Sequence, residues 1–155
     1  MGNNLYGSYT AKFDKSSRIK IPEKFRKAIE SEYGNELFIT SLSDEAVQVY
    51  PLSVWENLTS LANQGAYHLN PAIRKFLLRV NRKGIRGKID DKGRILINQG
   101  LREKAQLDDS VEIIAVTTHL EVWNKEKLDQ TLEEKPLTNE DFEMIANIIP
   151  GAKTK

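Results

Sequence analysis

Two stretches of this 155-residue chain carry one pattern 76 positions apart, "DKSSRIKIPEKFR" from Asp14 and "DDKGRILINQGLR" from Asp90. Asp14 and Asp90, Arg18 and Arg94, Ile19 and Ile95, Ile21 and Ile97, and Arg26 and Arg102 coincide, with Phe25 opposite Leu101. Further on, "LFIT" (Leu37 to Thr40) is set opposite "IIAV" (Ile113 to Val116). "VQVYPLSVW" from Val47 then matches "LEVWNKEKL" from Leu120, after a three-residue shortening of the intervening turn. Each copy reads as an alternating segment ("YTAKF", "KIDD"), a polar turn, a second alternating segment ("RIKI", "RILI"), a short helix and two more short strands. The trailing segments "PLSVWENLTSLA" and "NKEKLDQTL" read as helices. One such β-β-α-β-β unit leaves sheet edges and an apolar face open. Two copies can pair the edges and bury the faces against each other. The predicted fold class is therefore α+β, mostly β, with tandem repeats in one pseudo-twofold barrel and helices at its periphery.

Local signals place the helices. Pro22 suits a first helical position, where no backbone N–H is needed, and Phe25, Ala28 and Ile29 follow at helical spacing, with Leu101 and Ala105 repeating that face. Between the copies, "NPAIRKFLLRVNRK" offers Asn70 as N-cap and Pro71 as first helical residue. Ile73, Phe76, Leu77 and Val80 form its apolar stripe, so a helix is predicted over Asn70 to Val80. Near the C-terminus, Thr138 and Asp141 are spaced as a capping box for a helix with Phe142, Ile145 and Ile149 on one side. Pro150-Gly151 ends that helix and the last four residues fray. The expected organisation is a first repeat with its helix over 5–63, a linking helix over 64–83, a second repeat with its helix over 84–132, and a C-terminal helix and tail over 133–155.

The formal net charge of +1 conceals four blocks of alternating sign. Residues 12–27 carry a net +5, residues 28–73 a net −6, residues 74–94 a net +7 and residues 95–155 a net −5. Both basic blocks contain a copy of the arginine motif. Local charge rather than the total decides whether a polyanion is attracted, and Lys12, Lys15, Lys20, Lys24, Arg26 and Lys27 crowd the first motif as Arg82, Lys83, Arg86, Lys88 and Lys92 crowd the second.

An Asp four residues before an Arg across a turn has two readings. It can be purely structural, the carboxylate accepting turn N–H groups and pairing with the guanidinium. It can also aim the arginine at a ligand. The surplus of cations favours a phosphate backbone as that ligand.

Catalytic constellations are not legible. The absence of cysteine removes disulfides and thiolate metal sites. "GIRGK" at Gly84 lacks the spacing of a phosphate loop and is followed by Ile89 where Ser or Thr is needed. His68 and His119 stand alone, the latter read as a surface residue in a turn between strands, so neither a metal cluster nor a nucleophile–base pair can be written. Trp55 and Trp123 sit among apolar neighbours and read as core. The "NLT" sequon at Asn57 falls in a predicted helix and carries no meaning there. No catalytic residue, cofactor or metal is expected. No apolar run reaches the length of a membrane span, and the N-terminal residues lack a signal-peptide or myristoylation pattern, so a cytoplasmic protein is expected.

The doubled D-x-x-x-R motif, the Ile-x-Ile segments, "VYPLSVW", "EVWNKEK" and the linking "NPAIRKFLLR" together resemble the MraZ family of bacterial transcriptional regulators, associated with the division and cell-wall gene cluster. The resemblance runs from about Tyr6 to Leu132. It implies tandem AbrB-type swapped-hairpin repeats, ring-forming homo-oligomers, and binding of repeated boxes in double-stranded promoter DNA, with nucleoid association. The DNA-binding arginines it implies fall on Arg18 and Arg94, braced by Asp14 and Asp90. Arg18 and Arg94 are then base readers, since a guanidinium can bond guanine O6 and N7 together. Lys12, Lys15, Lys20, Arg86, Lys88 and Lys92 are phosphate contacts. The chain departs from the family pattern at Ser16-Ser17, where Lys-Gly is usual and where glycine would allow a positive φ, so the first loop is expected to differ in shape. Asn98 replaces a usual proline and Leu128 an aromatic. Two alternatives remain: an antitoxin-like AbrB-fold protein binding DNA and a toxin, and an oligomeric interaction module that does not bind DNA.

Overall fold

In the computed structural model, which describes residues 5–60, 62 and 64–149 and only the backbone at position 68, the chain runs twice through the same order of elements. The first copy is β1 (Ser8–Lys12), β2 (Arg18–Lys20), α1 (Glu23–Tyr33), β3 (Glu36–Thr40), β4 (Val47–Pro51) and α2 (Leu52–Ser60). A single 3-10 turn (Tyr67–Leu69) and α3 (Pro71–Lys83) follow. The second copy is β5 (Ile85–Lys88), β6 (Arg94–Leu96), α4 (Gln99–Lys104), β7 (Ser110–Val116), β8 (His119–Trp123) and α5 (Lys125–Glu134), and α6 (Asn139–Ile148) comes last. The described chain forms two compact units, one ending at Lys125 and one beginning at Glu126. No described helix is long and apolar enough to cross a membrane.

The first unit is built by exchange between the copies. Its six-stranded antiparallel sheet has the order β1-β7-β8-β4-β3-β5, and β2 pairs with β6 in a separate antiparallel ribbon. The opening strand of each copy thus pairs with the third strand of the other, and exchanging the two copies leaves the pairing scheme unchanged. In the ribbon Ile19 lies opposite Ile95, its own counterpart. Two single bonds tie the ribbon together at its ends, Ile21 N–H to Gly93 O (2.8 Å) and Ile97 N–H to Ser17 O (3.2 Å).

Hydrogen bonding does not close the strands into one barrel. β1 and β5 remain edges of an open sheet, because after Phe13 and Ile89 the chain leaves its sheet partner and turns into the ribbon.

The register also corrects the alignment of the repeats. Phe38 lies opposite Tyr50, and Glu112 opposite Trp123. Since Tyr50 and Trp123 are counterparts, Phe38 answers to Glu112 and "LFIT" answers to "VEII" (Val111 to Ile114), two positions before "IIAV". The pairs Lys12–Ser110 and Lys88–Glu36 agree with that assignment. Two of the three lost residues therefore fall between helix and strand, where α4 has 6 residues against 11 in α1, and one falls in the hairpin turn. A slip of two keeps the same side chains on the same face, so alternation could not reveal it.

Burial follows the repeated apolar positions. Ile19, Ile95, Ile21, Ile97, Phe25 and Leu101 are each 2 % exposed or less and share one core with Leu37, Ile39, Val111 and Ile113. The helices above this core begin differently. Pro22 precedes α1 instead of opening it, while Asn98 in the equivalent place accepts the Leu101 N–H (2.9 Å) and caps α4. The substitution of proline by Asn thus exchanges a fixed φ for a side-chain cap. On the outer face of β3 and β4 a second cluster gathers Phe38, Tyr50, Trp55 and Val80, which explains why all of β4 is buried.

Asn70 caps α3 as expected, its Oδ1 accepting from Ala72 (2.9 Å) and Ile73 (3.3 Å). Of the α3 stripe only Val80 is fully buried; Phe76 is 41 % exposed. α3 is held to the β3–β4 turn by Arg79, which bonds Leu42 O (3.0 Å) and Asp44 (3.2 Å). The chain then enters β5 at Gly84, packed so closely on Val80 O and the Phe38 ring that no Cβ fits.

In the second unit, α6 opens with the expected capping box: Thr138 Oγ1 accepts the Asp141 N–H (3.1 Å) and Asp141 Oδ2 accepts the Thr138 N–H (2.9 Å). No residue of α6 is buried, and Met144, Ile148 and Ile149 are exposed. Pro150, Gly151 and the last four residues lie outside the described residues.

Candidate nucleic-acid interface

The loops that open the two ribbon strands share one architecture. Asp14 N–H donates to Arg18 O (2.8 Å) and Asp90 N–H to Arg94 O (2.9 Å), closing each hairpin. Inside each loop the aspartate collects turn amides. Asp14 Oδ1 accepts from Ser16 N (2.8 Å), Ser16 Oγ (2.7 Å) and Arg18 N (3.0 Å); Asp90 Oδ1 accepts from Lys92 N (2.9 Å) and Arg94 N (2.9 Å). Asp and Asn stabilise turns in this way because a short side chain reaches the amide two residues on.

Position 17 overturns the expected difference in loop shape. Ser17 has φ 61° and Gly93, its counterpart, φ 77°. Serine accepts the left-handed conformation at a cost of about 1–2 kcal/mol, and the loop keeps its form. The Ser17 hydroxyl is engaged by Arg102 Nη1 (3.0 Å), a bond that glycine could not make.

The two loops meet. Arg94 Nη1 donates across to Asp14 Oδ2 (3.1 Å) while its Nε donates to its own Asp90 Oδ2 (3.1 Å), and Arg18 Nε stands 3.9 Å from that same Asp90 oxygen. Two motifs 76 residues apart in the chain form one cluster of two arginines and two aspartates. Each member is roughly one-third exposed, between 32 % and 39 %, so the guanidinium edges not facing a carboxylate reach solvent.

These bonds hold both carboxyls ionised. The Ser16 hydroxyl first, then the Arg18 amide, hold Asp14 down to about 2 from an ordinary 3.8; the Arg94 amide, ahead of the Lys92 amide and the Arg94 guanidinium, holds Asp90 below its ordinary range. A carboxyl whose folded value is depressed stabilises the fold above its unfolded value and loses that contribution as pH falls through the folded one. The bracing by Asp14 is thus complete at neutral pH and is lost only as pH falls toward about 2. Titration of the Asp14 carboxyl carbon by NMR is expected to show a midpoint near 2; a midpoint at the ordinary value would mean that the loop bonds do not exist in solution.

Arg26 and Arg102, repeated at the same fixed spacing in the sequence, also belong to the site. Each supports the loop of the other copy. Arg102 lies 3.8 Å over the Phe13 ring, bonds Ser17 Oγ and is 16 % exposed. Arg26 bonds Glu30 (3.2 Å) and reaches Asp91 O (3.5 Å) beneath Gly93, where a Cβ would lie 3.2 Å from its guanidinium.

Of the expected phosphate contacts, Lys12, Lys15, Lys20, Lys88 and Lys92 are exposed, and no carboxylate among the described residues pairs with them. Lys20 lies opposite Arg94 in the ribbon. Arg86 differs, since its guanidinium bonds Glu36 (3.0 Å) on the neighbouring strand. The first strand of each copy, β1 with Lys12 and β5 with Arg86 and Lys88, therefore brings cations toward the paired loops, with Arg86 already engaged by Glu36.

His119 is not the surface turn residue expected. It opens β8, is 12 % exposed, stacks on Tyr50 with centroids 4.2 Å apart, and sets Nε2 3.5 Å from Glu121 Oε2. Burial pushes the Glu121 carboxyl up, but bonds from His119, Trp123 and Gln48 together outweigh it and leave it below its ordinary value. Trp55 is core, as read, while Trp123 is half-buried with its indole N–H on Glu121 (2.9 Å). The side chain of His68 lies outside the described residues, and among those described no group of three His, Asp or Glu is placed to hold a metal ion.

Residues 86–148 match the family model for the MraZ protein, whose description also calls it antitoxin-like. The chain is similar to the transcriptional regulator MraZ of Acidobacterium capsulatum, 37 % identical over 140 residues covering 90 % of this chain and 95 % of that protein. The like-named protein of Finegoldia magna is 34 % identical over 135 residues, 86 % of this chain and 90 % of that one. That of Koribacter versatilis is 29 % identical over 143 residues, 92 % and 97 % of the two chains.

Proposed function

The chain belongs to the MraZ family, and from that premise we propose that it is a sequence-specific, DNA-binding transcriptional regulator and not an enzyme. Its ligand is double-stranded promoter DNA with repeated boxes, in the division and cell-wall gene cluster, and it works in the cytoplasm at the nucleoid. The observation that carries this reading is the convergence of the two arginine loops, one from each repeat, into one cluster flanked by unpaired lysines. Arg18 and Arg94 read bases, their guanidinium planes set by Asp14 and Asp90. Lys12, Lys15, Lys20, Lys88 and Lys92 contact phosphates, and Arg86 joins them only by leaving Glu36. The exchange of strands between copies supports an AbrB-type swapped-hairpin arrangement, with repeats over 5–63 and 84–132, the linking helix over 64–83 and the C-terminal segment from 133.

The test is binding to the duplex upstream of the protein's own gene and to a scrambled duplex, across a salt series. Lys15→Ala and Lys92→Ala are each expected to weaken both duplexes alike and to lower the salt slope by about one, since each phosphate contact releases about one counterion. A preference for the upstream duplex that is absent at every salt concentration would remove the proposal.

The protein works as a homo-oligomeric ring. Phe76 and Leu78 on α3, and Met144 and Ile148 on α6, are exposed apolar residues on two helices, and a head-to-tail contact that closes yields a ring. Sedimentation is expected to give one species larger than a monomer at micromolar concentration; a monomer there contradicts the ring.

A further inference from the structure

Away from the arginine loops, α3 and α4 enclose a cleft of about 460 Å3. α3 supplies Lys75, Arg79, Arg82 and Lys83 to its wall, and α4 supplies Lys104. One carboxylate faces these five cations, Asp44 of the β3–β4 turn, and Arg79 already holds it at 3.2 Å. Among the described residues no carboxylate pairs with Lys75, Arg82, Lys83 or Lys104.

Helix ends offer an ordinary use for Arg82, Lys83 and Lys104, since cations in a last turn face the free carbonyls. Those carbonyls are largely taken. At the end of α3, Val80 O accepts from the Thr40 hydroxyl (2.5 Å) and Lys83 O from Asn98 Nδ2 (3.2 Å); at the end of α4, Leu101 O, Arg102 O and Glu103 O accept the N–H groups of Ala105, Leu107 and Gln106. Lys75 lies in the second turn of α3, away from its C-terminal end. Like charges gathered in a concave space repel one another, and an anion seated among them removes that repulsion. The volume falls within the ~300–1,000 Å3 typical of small-ligand sites, and Leu78, 54 % exposed at the cleft wall, offers an apolar contact.

We infer that this cleft is a second anion site and holds a small polyphosphate ligand of nucleotide size. Its phosphates sit among Lys75, Arg82, Lys83 and Lys104, and its ring lies against Leu78. The shape separates this ligand from a nucleic-acid backbone, because a duplex is tracked by an extended cationic stripe and a cleft seats a compact polyanion. No residue of Asp14–Arg18 or Asp90–Arg94 lines the cleft, so the inference stands apart from the DNA reading and can fail without it.

The experiment is calorimetric titration of the full chain with inorganic tripolyphosphate and with ATP at physiological ionic strength. Saturable binding of one probe per chain is expected, with ATP at least as tight as tripolyphosphate. Lys75→Gln, an exposed change that leaves the fold intact, and Lys104→Gln are each expected to weaken it about tenfold, the loss of one charge-assisted contact. Arg94→Ala is expected to leave it unchanged. Absence of saturable binding, or weakening by Arg94→Ala with none from Lys75→Gln and Lys104→Gln, overturns the inference. A scrambled duplex that displaces the probe from the wild-type chain, and binds Lys75→Gln more weakly, identifies the phosphate source as nucleic acid and also overturns it.

Discussion

Expressed separately, residues 5–63 and residues 84–132 are each expected to give no folded monomer, and an equimolar mixture is expected to recover a cooperative fold. The reason lies in the pairing. Without its sister, the first repeat loses β7 from β1, β8 from β4, β5 from β3 and β6 from β2. The repeated core residues, Ile19 against Ile95 first among them, would face water. Fully burying a side chain of this size is worth about 1.5–3 kcal/mol, and several are lost at once against a total stability of about 5–15 kcal/mol. Circular dichroism and urea unfolding of each fragment and of the mixture would measure this. A fragment that unfolds cooperatively, as a monomer, at a midpoint independent of concentration would show that the exchanged strands are dispensable.

Arg94→Ala is expected to abolish most discrimination between the upstream duplex and a scrambled one while leaving the chain folded. The fold survives because Asp90 braces its loop through the Lys92 and Arg94 backbone amides, and those bonds do not involve the lost side chain. A bidentate arginine–guanine contact gives about 1–3 kcal/mol of discrimination, and in a ring the same loss recurs at every repeated box through effective concentration. Arg18→Ala is expected to act to a similar extent. Ser16-Ser17 gives no reason for a weaker effect, since Ser17 adopts the same left-handed turn as Gly93. Quantitative binding to both duplexes over a salt series separates the roles. Equal loss of affinity for both duplexes would reduce the arginines to phosphate clamps.

Much of this arrangement is legible in the sequence. The duplicated isoleucines mark the shared core because alternation and repetition point to the same residues, and the caps at Asn70 and Thr138 are local chemistry read within four positions. What escapes reading depends on distance or on parity. The two-residue slip of "LFIT" leaves every inward side chain inward. The bond from Arg94 to Asp14, and the crossing of Arg26 and Arg102 beneath each other's loops, join residues that only the exchange of strands brings together. Arg86 looks like its free lysine neighbours until β3 sets Glu36 beside it. His119 follows a two-residue turn and reads as exposed in the sequence, yet it opens β8 and the ring of Tyr50 covers it.

The central strand pair carries a consequence of holding both copies in one chain. Along β4 and β8, Val47 lies opposite Val122 and Val49 opposite Leu120, so Gln48 and Glu121 meet on the axis that interchanges the copies. A residue on such an axis in a symmetric dimer of separate chains can meet only itself. With both copies in one chain the two positions can differ, and here an amide faces a carboxylate, Gln48 Nε2 donating to Glu121 Oε2 (3.3 Å). Glu121 facing another Glu121 would set like charges directly across a ladder, which destabilises it. Self-pairing of the second repeat is thereby disfavoured. A chain carrying two second repeats would therefore meet repulsion on its own axis, whereas the pairing of unlike copies avoids it.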